Sequence, residues 1–322
     1  MRKWFRRFFS SGFYIPFILL LPYVCTIILN GADKALLLYS PGEEKLVPLL
    51  LMVQMKGDYE QEAVNAQAVI ARSTLYRCLE AGESEGKILE KIGKILTGEK
   101  AGSEITSEKS EENSGEISDG KWGETKYLCE NGRLSGNLAA LWKFLGMSAR
   151  LQRYEEAAEK TAYQVLTYKG ELKLVPYHEI SSGTTRDGEE VFHSEEYAYL
   201  KAVDSSQDKD SPDYVNSTYV SVTQLPAKLV IKKRDSAGYV TALTADGNWL
   251  EGETFRQGMH LASADFSMQR VGNVVRFLCK GKGHGLGFSQ YGGNEMAKNG
   301  SSWEEILETY FPEMEISTVH RR

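Results

Sequence analysis

Two histidines stand in short turns rich in small residues, where an imidazole can serve as an acid, a base or a ligand. His178 follows apolar residues in "PYHEISSGTT", which predicts a strand end beside a Ser-Ser-Gly turn. His284 lies in "GKGHGLGFSQYGGNEMAKNG", where the flanking glycines favour positive φ and predict an exposed histidine. Two interpretations stay open: a three-segment polar site that includes the helix carrying Arg72, or a packed glycine turn with a solvent-facing histidine.

The glycine-rich segment fits neither of two familiar catalytic motifs. G-x-S-x-x-G around Ser289 is one residue too long for the nucleophile elbow of serine hydrolases. No G-K-[ST] follows the glycines, which excludes a phosphate-binding loop.

General acid catalysis would need a carboxyl group, and the segment "MVQMKGDYEQEAVNAQAVIARS" is the candidate source of that group. Gln54 stands at the end of the apolar entry, and its amide cannot serve as a general acid. Glu62 stands near the start of an alanine-rich helix, where a carboxylate is favoured by the positive end of the helix dipole. A catalytic role for Glu62 would require its side chain to face the substrate.

Composition and charge limit the class of protein. The chain has 322 residues, 42% hydrophobic and 25% charged, as in an ordinary globular protein with a sizeable core. A net charge of −6 argues against a nucleic-acid-binding protein. The four cysteines are widely spaced without a CxxC pair, so they predict neither a zinc knuckle nor a disulfide framework.

The N-terminal segment predicts a membrane anchor. Four basic residues precede an apolar run over 13–29, which has about the minimum length for a membrane-spanning helix. By the positive-inside rule, residues 1–31 form a cytoplasmic tip and signal anchor, and residues 32–322 lie outside the cytoplasm. A cleaved signal peptide is the alternative, although no small-x-small site follows the run.

The remaining pattern predicts an α+β domain with packed helices and a mixed or antiparallel sheet. Short apolar strands, or one strand leading into a helix, should precede a helix over about 59–79, with Asp58 as its N-cap. On this helix Val64, Ala68, Ala71 and Leu75 share one arc, which predicts a core-facing side. Residues of about 82–130 are rich in Glu, Ser, Lys and Gly and predict a disordered insertion. Helical patterning returns over about 134–166 and then gives way to strands. A last helix should begin with a Ser302–Glu305 capping box.

Four segments, in order, resemble the SpoIID/LytB family, the stage II sporulation protein D cell-wall enzymes and the related amidase enhancers. The segments are "QEAVNAQAVIARS", "YHEISSGTT", "FRQGMHLASADF" and "GHGLGFSQYGGNEMAKNGSSWEEILETYFPEMEI". They span residues 45–316, and the stretch of about 82–135 matches nothing in the family. A single N-terminal membrane segment is also typical of the family.

The resemblance implies a SpoIID-like fold and a lytic transglycosylase acting on peptidoglycan glycan strands stripped of stem peptides. Such a protein works in sporulation, beside a partner amidase and membrane components of the engulfment machinery. One carboxyl group protonates the glycosidic oxygen and then takes the proton of the sugar 6-hydroxyl, which leaves an anhydro sugar. The competing function is a glycan-binding protein without catalysis that stimulates a partner amidase.

The resemblance also assigns roles to individual residues. Gln54, eighteen residues before Arg72, occupies the position of the family's catalytic glutamate, and Glu62 is the possible substitute acid. Tyr177 and Tyr291 could stack on sugar faces. Some relatives bind zinc through cysteine and histidine, but no cysteine accompanies His178, so we expect no metal and no cofactor. The residues expected to bind the glycan are Arg72, His178, Ser181, His284, Ser289, Gln290 and Tyr291.

Overall fold

The computed structural model describes residues 43–55, 57–97 and 139–319. The predicted membrane segment at 13–29, and the predicted insertion beyond residue 97, lie outside these ranges. Within them, no helix has both the length and the apolar character needed to cross a bilayer. The chain divides into two compact units, Met1–Lys45 and Leu46–Arg322. Of the first unit only the 3-10 turn Glu43–Lys45 is described, and all that follows concerns the second.

Four helices are described in the first half of this unit. They are α1 (Leu46–Gln54), α2 (Gln61–Glu80), α3 (Glu85–Thr97) and α4 (Ala139–Lys160). Helix α2 contributes apolar side chains to two separate clusters. Val64, Ala68, Ala71 and Leu75 pack among the neighbouring helices, as their predicted common arc requires. Ala66, Val69 and Ile70 pack on the opposite side, against a strand and the C-terminal helices.

Two sequence predictions at the start of this unit are wrong. The stretch predicted as apolar strands is helix α1, because leucine and methionine favour a helix and Pro48 falls in the first turn, where its missing N–H costs no hydrogen bond. Asp58 is not the N-cap of α2. That position is taken by Glu60 without a side-chain cap, and Asp58 instead forms an ion pair with Arg153 at 2.7 Å.

Two further predictions are corrected after α2. The first part of the predicted disordered insertion is helix α3, whose Ile88 and Ile92, one turn apart, are buried against the other helices. The second helical stretch ends earlier than predicted, since Tyr163 adopts a left-handed conformation (φ 63°) and strand β1 begins at Gln164. The sequence of β1, QVLTY, is rich in residues that favour strands.

The strands of the described residues form four small sheets, three of them antiparallel. The first has the order β11-β1-β2, with β1 at Gln164–Tyr168, β2 at Glu171–Leu172 and β11 at Glu315–Thr318. The second is a parallel pair of β3 (Tyr177–His178) and β10 (Phe288–Ser289). The remaining two have the orders β4-β9-β8 and β5-β6-β7. Their bounds are Val215–Ser221, Leu229–Arg234, Val240–Ala245, Asn248–Glu251, Phe266–Val271 and Val274–Lys280 for β4 to β9.

Four shorter helices complete the described chain: α5 (Gly188–Phe192), α6 (Gly252–Gly258), α7 (Gln290–Lys298) and α8 (Trp303–Tyr310). The predicted capping box of α8 is confirmed, because the Ser302 side chain accepts from the Glu305 N–H and the Glu305 side chain accepts from the Ser302 N–H. The α+β class is confirmed as well, and the described sheets are antiparallel except for the parallel pair of β3 and β10.

Candidate functional site

The parallel pair β3–β10 brings together two of the segments that the sequence singled out. Tyr177 lies opposite Phe288, and His178 lies opposite Ser289. His178 is at the end of its strand, as predicted. Helix α7 begins directly after β10, so Gln290 and Tyr291 start its first turn beside the histidine.

His178 and His284 are both fully buried, and their rings meet edge to face with centroids 5.8 Å apart. The prediction that His284 lies exposed on a turn is wrong. Gly285 and Gly287 have φ of +79° and +67°, and a Cβ on Gly287 would lie 2.2 Å from the carbonyl oxygen of Pro176. The glycines therefore allow the turn to pack tightly against the chain, and this places the imidazole inside the protein.

The backbone of Leu286 sets the protonation of both rings. Its N–H donates to Nδ1 of His284 at 3.1 Å, so that nitrogen carries a lone pair. Its carbonyl lies 3.0 Å from Nδ1 of His178, which must therefore carry the proton. Nε2 of His178 is buried and has no hydrogen-bond partner among the described residues.

Burial keeps both histidines neutral. It lowers the pKa of His178 from 6.5 to about 4, with Arg186 adding to the effect and the Leu286 carbonyl opposing it. Burial also holds the pKa of His284 well below its usual range, helped by His178, Arg256 and Arg186. Neutral imidazoles held inside a protein serve better as fixed hydrogen-bonding groups than as acids at neutral pH.

Ser181 and Ser289 are fully buried and bind a carboxylate that the sequence did not point to. Asp208 accepts from the Ser181 N–H at 2.8 Å, from Ser289 Oγ at 2.9 Å and from Ser205 Oγ at 3.0 Å. Burial raises the pKa of Asp208, and these hydrogen bonds oppose the rise. Both serines were predicted to bind glycan. Through Asp208, Ser181 instead fixes the turn after His178, and Ser289 fixes the start of α7.

Three glutamines form a connected cluster where α1, α2 and α7 meet. Gln290 Nε2 donates to the backbone carbonyl of Gln54 at 3.1 Å and to Gln67 Oε1 at 3.2 Å. Gln67 Nε2 in turn donates to Gln54 Oε1 at 2.9 Å. Tyr59 completes the cluster, with its hydroxyl 3.5 Å from Gln290 Oε1. Gln54, the position that the resemblance assigns to the acid, thus lies in contact with the glycine-rich segment through Gln290.

Glu62 does not face this cluster with a free carboxyl group. Its Oε1 accepts from Lys160 Nζ at 2.5 Å and from Asn65 at 3.3 Å, and its Oε2 accepts from the Trp303 N–H at 3.0 Å. Burial raises the pKa of Glu62, but the contacts with Lys160, Trp303 and Asn65 outweigh it and hold the pKa below the usual range. The carboxylate joins α2 to α4 and α8 and is a poor proton donor.

Arg72 is fully buried, contrary to the prediction that it lines a groove. Its guanidinium donates to the carbonyls of Ala158 at 2.9 Å and Gln164 at 3.2 Å, and to Thr161 Oγ1 at 3.1 Å. The next residue, Ser73, accepts from the Leu166 N–H at 2.8 Å. These two side chains of α2 bind the end of α4 and the start of β1, which explains why an arginine and a serine stand together here.

Glu179 is a further charged residue near the glutamines, and sequence analysis did not single it out. Its carboxylate pairs with Lys282 Nζ. Burial, helped by the negative charge of Glu179, raises the pKa of Tyr59. Tyr291 is partly exposed, and its backbone N–H donates to the Glu179 carbonyl at 3.0 Å. Its stacking on sugar stays a prediction.

In the part of the chain that the structure describes, no three His, Cys, Asp or Glu side chains converge as metal ligands would. The absence of a metal and of a cofactor in the working protein stays a prediction. Gln67 could have been found from the sequence because it lies within "QEAVNAQAVIARS". Asp208 had no such signal, because it lies in the charged 3-10 turn Ser206–Asp210, outside the motifs.

Packed helices, small sheets and two signature turns joined by a parallel strand pair define an α+β protein with a buried polar site. Comparison with known sequences shows that the chain is related to stage II sporulation protein D. It is 33% identical to that protein of Bacillus amyloliquefaciens over 178 residues, 52% of either chain. It is 31% identical to that of Bacillus subtilis (strain 168) over 179 residues, again 52% of either chain.

A third relative is an uncharacterized protein of Brachyspira hyodysenteriae, 26% identical over 184 residues, which are 52% of this chain and 49% of the relative. The chain thus spans about half the length of the curated relatives that it matches. No protein-family model matches the sequence.

Proposed function

We propose that this chain is a SpoIID-like cell-wall protein of sporulation that binds denuded peptidoglycan glycan, stripped of its stem peptides, without cleaving it. The relationship to stage II sporulation protein D supports the cell-wall role. The bound strand would then be presented to a partner amidase, which this chain stimulates.

The observation that carries the proposal is the state of the two candidate acids. Gln54 has an amide at the family's acid position, with its oxygen bound by Gln67. Glu62 is engaged by Lys160, Asn65 and Trp303 and is held in its charged form. A positioned general acid contributes about 10²–10⁴-fold to a rate, so the loss of both acids should abolish efficient cleavage.

A second candidate function, lytic transglycosylase activity, is favoured by Glu179. Its charge acts on Tyr59, which contacts the same glutamine cluster, so a carboxyl group lies in this neighbourhood. Its ion pair with Lys282 stabilises the carboxylate, which makes Glu179 a weaker proton donor than the family's acid.

The proposed location follows from the N-terminal segment. The apolar run over 13–29 would anchor the protein in the cell membrane, with residues 32–322 outside the cytoplasm. There the domain would meet peptidoglycan, an amidase and membrane components of engulfment.

Mass spectrometry of glycan products tests the proposal. The full chain in detergent is incubated with amidase-stripped peptidoglycan, beside Gln54→Glu and the ion-pair variant Glu179→Gln. We expect no anhydro-disaccharide from the wild-type protein, and product from Gln54→Glu, whose new carboxyl group can accept from Gln67 as the amide does. Product from the wild-type protein would contradict the proposal, and its loss in Glu179→Gln would assign the acid to Glu179.

A further inference from the structure

The hydrogen bonds of the glutamine cluster can run in only one direction, because one of the acceptors is a backbone carbonyl. The carbonyl of Gln54 can only accept, so the group of Gln290 that faces it must be the NH2 group. The same NH2 group lies 3.2 Å from the side chain of Gln67, which must therefore present its oxygen to Gln290. An amide that turns its oxygen one way turns its NH2 group the other way.

The orientation of the Gln67 amide in turn fixes that of the Gln54 amide. With its oxygen bound to Gln290, Gln67 donates its NH2 group to Oε1 of Gln54 at 2.9 Å. Gln67 is fully buried and Gln290 is 1% exposed, so water cannot readily substitute for these contacts. Gln54 is partly exposed, and its Nε2 has no hydrogen-bond partner among the described residues.

We infer that Gln67 and Gln290 are positioning residues that hold the Gln54 NH2 group outward, as a permanent hydrogen-bond donor to an oxygen of the glycan. The inference rests on the proposed function for its ligand. A protonated carboxyl group at this position would also donate, but it could pass its proton on. The amide makes the donor contact of an acid and cannot complete the transfer, so the strand is bound and left intact.

This inference can be tested by a substitution at another position that makes the Gln54 amide turn over. In Gln67→Glu the ionised carboxylate can only accept, so Gln54 must turn its NH2 group inward and present its oxygen to the ligand. We expect about ten-fold weaker retention on amidase-stripped peptidoglycan at about pH 8, the effect of about one lost hydrogen bond.

Lower pH should restore binding by this variant. Burial raises the pKa of a carboxyl group above its usual ~4.3, so at about pH 5 a protonated Glu at position 67 donates to Gln54 as the native amide does. A purely structural defect would not recover in this way. Gln269→Glu adds the same group at an exposed position on β8 and should be retained like the wild-type protein at both pH values.

Retention is measured by cosedimentation of the full chain in detergent, as the ratio of each variant to the wild-type protein at the same pH. Circular dichroism checks that each variant is folded, and Gln54→Leu, at a partly exposed position, should bind about ten-fold more weakly at both pH values. Wild-type retention by Gln67→Glu at about pH 8, an equal loss at both pH values, or full retention by Gln54→Leu would overturn the inference alone. Failure of the wild-type protein to sediment with the glycan would overturn the proposed function and this inference together.

Discussion

His178 and His284 share one residue as the hydrogen-bond partner of their Nδ1 atoms: the carbonyl of Leu286 accepts from His178, and its N–H donates to His284. The two rings therefore hold complementary tautomers 5.8 Å apart, in a place without solvent exposure. The arrangement fixes the turn that carries the glycine-rich segment.

The first prediction concerns pH and stability. The pKa of His178 is lowered from 6.5 to about 4 in the folded protein, so the unfolded chain binds the proton first as pH falls. The free energy of unfolding should be greatest above about pH 6.5 and should fall by roughly 3 kcal/mol towards about pH 4 from this residue alone. Urea unfolding followed by circular dichroism at a series of pH values measures this slope.

A matched pair of variants separates this histidine from the rest of the chain. His178→Asn should make the slope between these pH values less steep by the contribution of this histidine, whereas His193→Asn, at an exposed left-handed position, should leave it unchanged. An unchanged slope in His178→Asn would show that other groups control the acid transition.

The second prediction compares two glycines with similar backbone conformations. Gly287 (φ +67°) has the Pro176 carbonyl 2.2 Å from the position of an added Cβ, whereas Gly272 (φ +60°) has nothing within 4 Å. Gly272→Ala should cost about 1 kcal/mol of stability, from the backbone alone. Gly287→Ala should cost several times more, because the strand pair must separate. Thermal unfolding of both variants measures the difference. Equal losses of stability would mean that the turn at Gly287 adjusts easily to an added Cβ.

The third prediction concerns Arg72. Arg72→Lys keeps the charge but cannot reproduce the fork that reaches Ala158, Thr161 and Gln164, and the unfolding free energy should fall by about 3 kcal/mol. Arg77→Lys, on the same helix at a partly exposed position, should change it by less than about 0.5 kcal/mol. If Arg72→Lys keeps its stability but loses glycan retention, the arginine has a binding role after all.

The fourth prediction concerns Glu62. In Glu62→Gln the amide oxygen can still accept from one of its neighbours, while the partly exposed ion pair with Lys160 is lost. We expect a stability change below about 1 kcal/mol and unchanged glycan retention in the cosedimentation assay. Strongly weakened retention would show that the Glu62 side chain contributes to glycan binding.

Local patterns predicted much of this fold. The α8 capping box and the packing arc of α2 were readable because each depends on residues within a few positions of one another. The sequence of α1 predicts strands although the segment is a helix, since a short apolar run has no periodicity that separates the two structures.

The site was less predictable because burial depends on the whole fold. The sequence could place His178 and His284 in turns, but it could not predict that their side chains point inward. That orientation depends on the packing of Pro176 on Gly287 and of Tyr239 on Gly285. The role of Arg72 depends on the end of α4, and that of Ser289 on Asp208, both far away in sequence. Polar residues near one another in a motif predict a ligand-binding site, but several of them here bind other parts of the protein itself.

Helix α2 supplies side chains to two apolar clusters and carries Arg72 and Ser73, which bind the neighbouring backbone. Neither cluster can lose its order while this helix keeps all its partners, so the two clusters that it joins should melt in a single cooperative transition. Native-state hydrogen exchange should then find the middle of α2 among the last amides to open, at the free energy of global unfolding.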